Sequence, residues 1–343
     1  MIHKDLPSRK RVKKAGDAVR NGTPQDEDLK VIDEWRAAHR TVLNTFQATL
    51  RNRASKLHNK NITVAQRHKR RNTIFNKLKR FPSMHLARMD DIAGCRLIFD
   101  NIEDLRLFRR DMHQSRFKHV LRNEEDKYNY IKSPKETGYR GIHDVYSYNV
   151  SSKNCGIYNG LSIEIQYRTR VQHAWATAVE VVGYITQGRS QPKFDQGNDK
   201  YKFAMQVASE VLARAYENSF SCFRGKSNHE IVSMFKYIDN KTSLIDLFKK
   251  INSEHIKNYK YKNIILIIKK DSSLEVKTYK SAVLAMDGLF ELEKNLPSDT
   301  DLVLVGGSSS KDVQEAFRNY FSDTTDFVQL IENGLKILSE DIL

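Results

Sequence analysis

The sequence predicts a mixed α/β fold, α+β in the order of its elements, followed by a second, smaller α/β unit. Three observations carry that prediction. Apolar residues recur at helical spacing through residues 24–79, and the period shortens to two from about residue 94. The segment LSIEIQYRT (161–169) alternates most cleanly: Leu161, Ile163, Ile165 and Tyr167 point one way, Ser162, Glu164, Gln166 and Arg168 the other. Beyond about residue 225 the pattern restarts around KNIILIIKK (262–270), a continuous apolar run typical of a strand buried on both faces.

Taken in order, residues 1–22 are basic and weakly patterned, and are expected to form a flexible arm. Thr23-Pro24 offers a helix start, with Thr23 as N-cap and Pro24 in the first turn. Leu29, Ile32, Trp35, Leu43, Phe46 and Leu50 carry that helix to about residue 57, and a second covers Arg70–Lys79 and stops before Pro82. GCRLIFD (94–100) reads as a strand, EDLRLFRRDMHQ (103–114) as a helix and GIHDVYSYNV (141–150) as a strand. After the strand 161–169, VQHAWATAVEVVGYITQ (171–187) is helical, GRSQPKFDQGNDK (188–200) is a polar loop, and a helix runs from about Lys200 to Asn218. In the second unit LEVKTYK and DLVLV read as strands, SAVLAMDGLFELEK and SSKDVQEAFRNYF as helices. The expected division is an arm (1–22), a main domain (23–225) and a C-terminal α/β domain (226–343) with a regulatory or interaction role.

Charge narrows the partners. The chain of 343 residues has a net charge of +16, but residues 1–230 carry +18 and residues 231–343 carry −2. No Asp or Glu falls between Glu34 and Asp90, while residues 51–80 hold 11 Lys and Arg. A run this one-sided points to polyanions: nucleotides, nucleic acid or an acidic membrane surface. No apolar run reaches the roughly 20 residues that span a bilayer, and MIHKDLPSRKRVKK lacks the apolar core of a signal peptide. Cys95, Cys155 and Cys222 are far apart with no CxxC pair, which points to a reducing cytoplasm and to packing roles rather than disulfides or a thiolate metal site.

The chemistry-bearing residues cluster. SPKETGYRGIHDVYSYNV (133–150) places Lys135, Tyr139, Arg140 and His143 within nine positions, beside a strand. Glu164 stands on the polar face of the alternating strand, and Asp91, in RMDDIAGCRLIF, precedes another. Two carboxylates from adjacent strands suit a Mg²⁺–nucleotide site, because Mg²⁺ takes one or two protein carboxylates plus phosphate oxygens. By local pattern alone Asp91 reads equally as a cap residue and Glu164 as a surface strand residue. Arg67, Lys69, Lys77 and Arg80 add cations able to hold a triphosphate, with Lys77 and Arg80 on one helix face, and Tyr139 offers a ring for a nucleobase. LVGGSSSKD (304–312) lacks the Gly-Lys-Ser/Thr of a P-loop and reads as a loop with a helix cap.

Five stretches in order resemble the synthetase domain of RelA/SpoT-type alarmone synthetases, particularly the small single-synthetase members and their toxin relatives. They are RHKRRNTIFNKLKR (67–80), DIAGCR (91–96), YIKSPKETGYRGIH (130–143), EIQYRT (164–169) and HAWATAVE (173–180), within about residues 40–190. The resemblance implies a nucleotidyltransferase-like mixed sheet flanked by helices. It implies an ATP-dependent pyrophosphokinase that moves the terminal pyrophosphate of ATP to the 3′-hydroxyl of GDP or GTP, making guanosine tetra- and pentaphosphate and releasing AMP. Arg67, Lys69, Lys77 and Arg96 would then bind ATP, and Asp91 and Glu164 would hold Mg²⁺, with Glu164 also assisting removal of the hydroxyl proton. Tyr139 would stack on the acceptor base, with Lys135, Arg140 and His143 around its phosphates and ribose. Gln166 and Arg168 would support the same face, with Trp175 in the core beside Glu180.

Two departures bear on the acceptor. Thr137 stands where the family often has Asn, and Val181 where a histidine is common, a change shared with the toxin-like branch. Alternative acceptors are therefore the 3′-terminal adenosine of tRNA, which the excess positive charge favours, or an adenosine nucleotide. His143-Asp144 lies inside the synthetase motifs and is not expected to be a hydrolase metal pair; no hydrolase activity is expected. A homo-oligomer, or a neutralising or regulatory partner protein, is a further expectation.

Overall fold

The computed structural model describes residues 6–57, 61–187, 199–251, 261, 263–268, 274–296, 300–306 and 324–340. The expected arm is instead a helix, α1 (Arg9–Asn21). Ser8 accepts from the Arg11 amide at its start, and Gly22 closes its end in the left-handed conformation. Val12, Ala15 and Val19 recur at helical spacing and are buried, and Arg20 reaches the main-chain carbonyls of Leu78 and Met84. Six basic side chains in thirteen residues obscured that narrow apolar stripe.

Helix α2 (Asp26–Lys56) starts two residues later than Thr23-Pro24 suggested, because Gln25 and Asp28 form its cap and three acids fill its first turn. Its buried face, from Val31 to Leu50, lies beneath the sheet. Strand β1 (Thr63–His68), hidden within the basic run, is followed by α3 (Arg71–Arg80), β2 (Ala93–Phe99) and α4 (Ile102–Gln114). Then come a short β3 (Val120–Leu121), β4 (Ile142–Ser147), β5 (Ser162–Thr169), α5 (Arg170–Gln187) and α6 (Asp199–Glu217). The loop expected at 188–200 lies almost wholly outside the described residues.

The C-terminal part comprises α7 (Asn228–Thr242), α8 (Leu244–Ile251), β6 (Asn263–Ile268), β7 (Leu274–Tyr279), α9 (Ala282–Asn295), β8 (Asp301–Gly306) and α10 (Thr325–Glu340). Most of LVGGSSSKD and the helix expected over SSKDVQEAFRNYF fall outside the described residues.

These elements build one mixed sheet in the order β3-β4-β5-β2-β1-β8-β6-β7. Among the described residues only β2 and β5 pair in parallel, and the other strand pairings are antiparallel. The mixed α/β architecture expected from the sequence is thus present; β6, β7, α9 and β8 enclose a hydrophobic cluster of their own around Ile265, Ile267, Met286, Leu289 and Leu302, while β8 also continues the main sheet. Strand β8 adds to the outer edge of β1, satisfying backbone groups that would otherwise lie open. Meanwhile α7, α8 and α10 join α5 and α6 in a separate helical core around Val211, Phe235, Phe248, Phe327 and Ile331. The main core lies between α2, α4 and one sheet face, filled by Phe46, Leu97, Phe99, Ile163, Ile165 and Tyr167. The alternation predicted for 161–169 holds, since Ile163, Ile165 and Tyr167 are fully buried there. Cys95 belongs to this core, and burial pushes its thiol up to about 12, as suits an inert packing residue. Among the described residues no helix is long and apolar enough to cross a membrane.

Candidate active site

The face of the sheet away from α2 carries the polar residues. Strand register sets Arg67 beside Gly94, Gly94 beside Glu164, and Arg96 beside Gln166, which in turn faces His143. Because side chains alternate along a strand, these residues from four strands share one face. Arg67, Gly94, Arg96, Glu164 and Gln166 line a cleft together with Lys69 and Asp91, and His143 stands beside it against Glu164. Gly94 leaves the floor open: a side chain there would stand between the Arg67 and Glu164 strands, and its Cβ would meet backbone oxygens at ordinary contact distances of 3.7 and 3.8 Å.

One wall is built on the turn ends of β1 and β2. The Lys69 amide donates to the Ile92 carbonyl at 2.9 Å, which brings Lys69 opposite Asp91. Lys69 Nζ then lies 2.6 Å from Asp91 Oδ2, and Lys77 Nζ, from α3, lies 3.0 Å from both carboxylate oxygens. Burial alone would push the Asp91 carboxyl up, but the two ammoniums outweigh it and hold the group below its usual range. Lys69 is drawn down by burial and by the neighbouring Lys77 and Arg67 charges, against the pull of Asp91. The Nε of Arg67 is shielded from solvent and has no hydrogen-bond partner among the described residues, an arrangement suited to an incoming anion.

The other wall centres on Glu164. Its Oε1 lies 2.9 Å from His143 Nδ1 and its Oε2 accepts from Gln166 Nε2 at 2.8 Å. His143 Nε2 lies 2.6 Å from the Tyr139 hydroxyl, which also accepts from Arg168 Nη2 at 3.2 Å. Burial would lower the His143 imidazole, but Tyr139 and Glu164 raise it to about 9. Burial would likewise raise Glu164, and His143, Gln166 and Lys69 together hold it far below the carboxylate range. Tyr139 is drawn down to about 8 by Arg168 and His143 against its burial. The centre is therefore a carboxylate–imidazolium pair ending on a phenol, with both imidazolium N–H groups donating.

The loop before β4 completes this wall. Lys135 Nζ lies over the Tyr130 ring at 4.4 Å and the Tyr139 ring at 5.4 Å, and Tyr130 meets both Tyr139 and His143 edge-to-face. Gly138, at φ +89°, closes the turn by donating to the Lys135 carbonyl at 2.8 Å. Helix α6 supports the loop from behind. Ser209 Oγ donates to the Gly138 carbonyl at 2.6 Å and Gln206 Nε2 to the Glu136 carbonyl at 2.7 Å. Trp175 is core, as expected: buried, it donates to the Met205 carbonyl and stands 6.4 Å from the Tyr139 ring.

Residues 66–188 match the family model described as the region found in RelA / SpoT proteins. Over this stretch the chain is similar to that family. The chain is similar to GTP pyrophosphokinase YjbM of Bacillus subtilis (strain 168), 28% identical over 139 residues, or 40% of this chain and 60% of that relative. It therefore spans three-fifths of the curated relative's length. Among solved structures it is similar to small alarmone synthetase 1 of Bacillus subtilis, with a TM-score of 0.43 at 23% identity, covering 52% of this chain and 88% of that one. Small alarmone synthetase 2 of the same organism gives 0.44 at 21% identity, covering 52% and 91%.

Within the matched stretch the structure gathers Arg67, Lys69, Lys77, Asp91, Arg96, Lys135, Tyr139, His143, Glu164, Gln166 and Arg168 around the cleft and its walls. Arg140 is not brought there. It points to the far side of its loop and forms a buried ion pair with Glu217 of α6, so its expected place beside acceptor phosphates is corrected to an internal anchor. Arg80 likewise lies over the Phe81 ring, 4.7 Å away, instead of joining Lys77. The His143-Asp144 dipeptide is split by strand alternation: His143 faces the cleft, while Asp144 turns to Arg109 and His113 on the opposite face. Tyr130 and Gly94 lie inside the motif stretches without a residue type that announces a role; their packing and floor positions emerge from the strand register and the loop's contacts. Ser209 and Gln206 left no local signal.

Asp91 and Glu164 fit a Mg²⁺ ion as donors. Both are hard oxygen ligands held ionised in one cleft, and among the described residues no third His, Cys, Asp or Glu joins them. Such a set leaves coordination positions for phosphate oxygens, which is how Mg²⁺ is usually held beside nucleotides.

Proposed function

We propose that this chain is a pyrophosphokinase that transfers pyrophosphate from ATP to the 3′-hydroxyl of GDP or GTP. The single observation that carries the reading is the pairing of two ionised carboxylates in one cleft with opposed walls. One wall offers Arg67, Lys69, Lys77 and Arg96, and the other offers Tyr139, His143, Arg168 and Lys135. The RelA/SpoT match and the name of the curated relative support the same reading.

The donor triphosphate lies along the cationic wall, where Lys69 and Lys77 turn from Asp91 to its phosphate oxygens. The acceptor base stacks on Tyr139, and Lys135 and Arg168 meet its phosphates. The 3′-oxygen attacks the β-phosphorus of ATP, the bond from that phosphorus to the α,β-bridging oxygen breaks, and AMP leaves. Glu164 takes the hydroxyl proton. Asp91 and Glu164 would hold Mg²⁺, which when bound would supply neutralisation of the charge gathering on the phosphate oxygens.

A second acceptor, the 3′-terminal adenosine of tRNA, is favoured by one observation: the +18 charge of residues 1–230 exceeds what two nucleotides require. An adenosine nucleotide is a third candidate, since Tyr139 offers any purine the same face. Incubating the chain with labelled ATP and, in parallel, GDP, GTP, ATP and deacylated tRNA decides among them. Label in guanosine products is the expected result; label confined to tRNA would replace the guanosine reading, and no transfer to any acceptor would overturn the enzyme.

A further inference from the structure

The C-terminal part reaches the cationic wall of the cleft at two independent points. Strand β8 pairs with β1 at the site itself, with Val305 beside Arg67 and Leu304 beside His68. The second contact is a buried ion pair between residues 257 apart in sequence. Glu293, near the end of α9, accepts from Arg36 of α2 through both oxygens, at 2.7 Å from Nη1 and 2.9 Å from Nη2. Arg36 is fully buried and Glu293 nearly so. The same Nη2 donates to the main-chain carbonyl of Lys69 at 3.3 Å, and Arg71 donates to the main-chain carbonyl of Glu293 at 3.1 Å. Phe290, one turn earlier on α9, packs its ring 5.5 Å from the Arg36 guanidinium carbon.

A guanidinium held by a two-oxygen fork has a fixed plane, so its remaining donor direction is fixed too. Asp33 accepts from Nη1 only, at 3.1 Å, and cannot set that plane alone. We propose that Glu293 is a positioning residue for the donor side of the cleft. By orienting Arg36 it holds the Lys69 backbone, and so the ammonium that grips Asp91. The C-terminal part is then a component of the donor pocket, and a signal that loosens α9 lowers donor affinity without touching the acceptor wall. This rests on the reading of Lys69 and Asp91 as donor and metal residues.

Removing Glu293 alone strands a buried cation and endangers the fold. The deciding variant is therefore the full chain with Arg36→Met and Glu293→Met together, beside Glu293→Asp, which keeps the charge but shortens its reach. Amide hydrogen exchange over residues 66–71 is read first, with residues 161–169 as control. Binding of the non-hydrolysable donor α,β-methylene-ATP follows, then KM for ATP and for GDP. In whichever variant keeps a cooperative thermal transition, exchange at 66–71 should rise and the ATP affinity should fall by about tenfold, the size of one lost charge-assisted hydrogen bond, with the GDP KM steady. Unchanged exchange at 66–71 overturns the inference whatever the enzyme does, and so does a parallel rise in both KM values. Wild-type protein that binds no ATP, with exchange still raised in the variant, overturns the proposed function and leaves the Glu293 link standing.

Discussion

Glu164 is shared between His143 and Gln166, one oxygen to each, while Asp91 is shared between two lysines. These partners make both carboxylates anions in the resting protein, which is the state that a metal or a hydroxyl proton requires. Glu164→Gln keeps the shape and removes the charge. Its transfer rate should fall by about 10³-fold or more while ATP still binds and thermal unfolding stays cooperative; near-wild-type turnover would remove Glu164 from its role. His143 gives a pH test. Its value rises from 6.5 to about 9 on folding, so its stabilisation is complete below 6.5 and is lost as pH rises through 9. Glu164 is depressed below its ordinary 4.5, so its stabilisation is present above 4.5 and is lost on acidification. Chemical denaturation across this range should show wild type exceeding His143→Gln most below 6.5, with the gap narrowing between 6.5 and about 9. A gap constant with pH would mean that the imidazole is neutral.

At the scale of elements, the loop 135–139 matters as much as the strands it precedes. It has no regular structure of its own, and its shape comes from the Gly138 turn and from Ser209 and Gln206 on α6. A methyl group on Gly138 would need a left-handed backbone and would press on Ser209 Cβ at 3.0 Å and the Trp175 ring at 3.1 Å. Gly138→Ala should therefore cost about 1–3 kcal/mol in stability. It should also raise the acceptor KM more than the donor KM, since the donor wall rests on other elements; equal effects on the two would detach the loop from acceptor binding. Arg140 belongs to this scale as well. Paired with Glu217, which also accepts from Gln172 at 3.0 Å, it ties the loop to the end of α6 and the start of α5.

For the molecule as a whole, the C-terminal part serves two separate places. Its strands extend the sheet from β1, beside the donor wall, and its helices cover α6, which backs the acceptor loop. Phe327 of α10 is fully buried against Phe248, with ring centroids 5.3 Å apart. Phe327→Ala should destabilise the protein by about 3–5 kcal/mol in urea titration. A chain ending at residue 225 should lack a cooperative unfolding transition, because α6 loses its apolar cover and β1 its neighbour. A sharp transition in that fragment would make the two parts separable.

The sequence by itself determined the periodic elements and the motif residues. The strand 161–169 was legible because its alternation separates a fully buried face from a charged one, and Lys69, Asp91, Tyr139, His143 and Glu164 were legible because five stretches in order carry them. Helix α1 and strand β1 were not, since basic side chains mask a narrow apolar stripe in one and only Val64 and Ala65 signal the other. What the tertiary structure alone decided is pairing at long range. Which edge β8 joins, that Arg140 turns to Glu217, and that Glu293 reaches Arg36 all depend on contacts between residues far apart in the chain. A local pattern reports how a residue's face is turned, but the partner that meets that face is chosen by packing across the whole molecule.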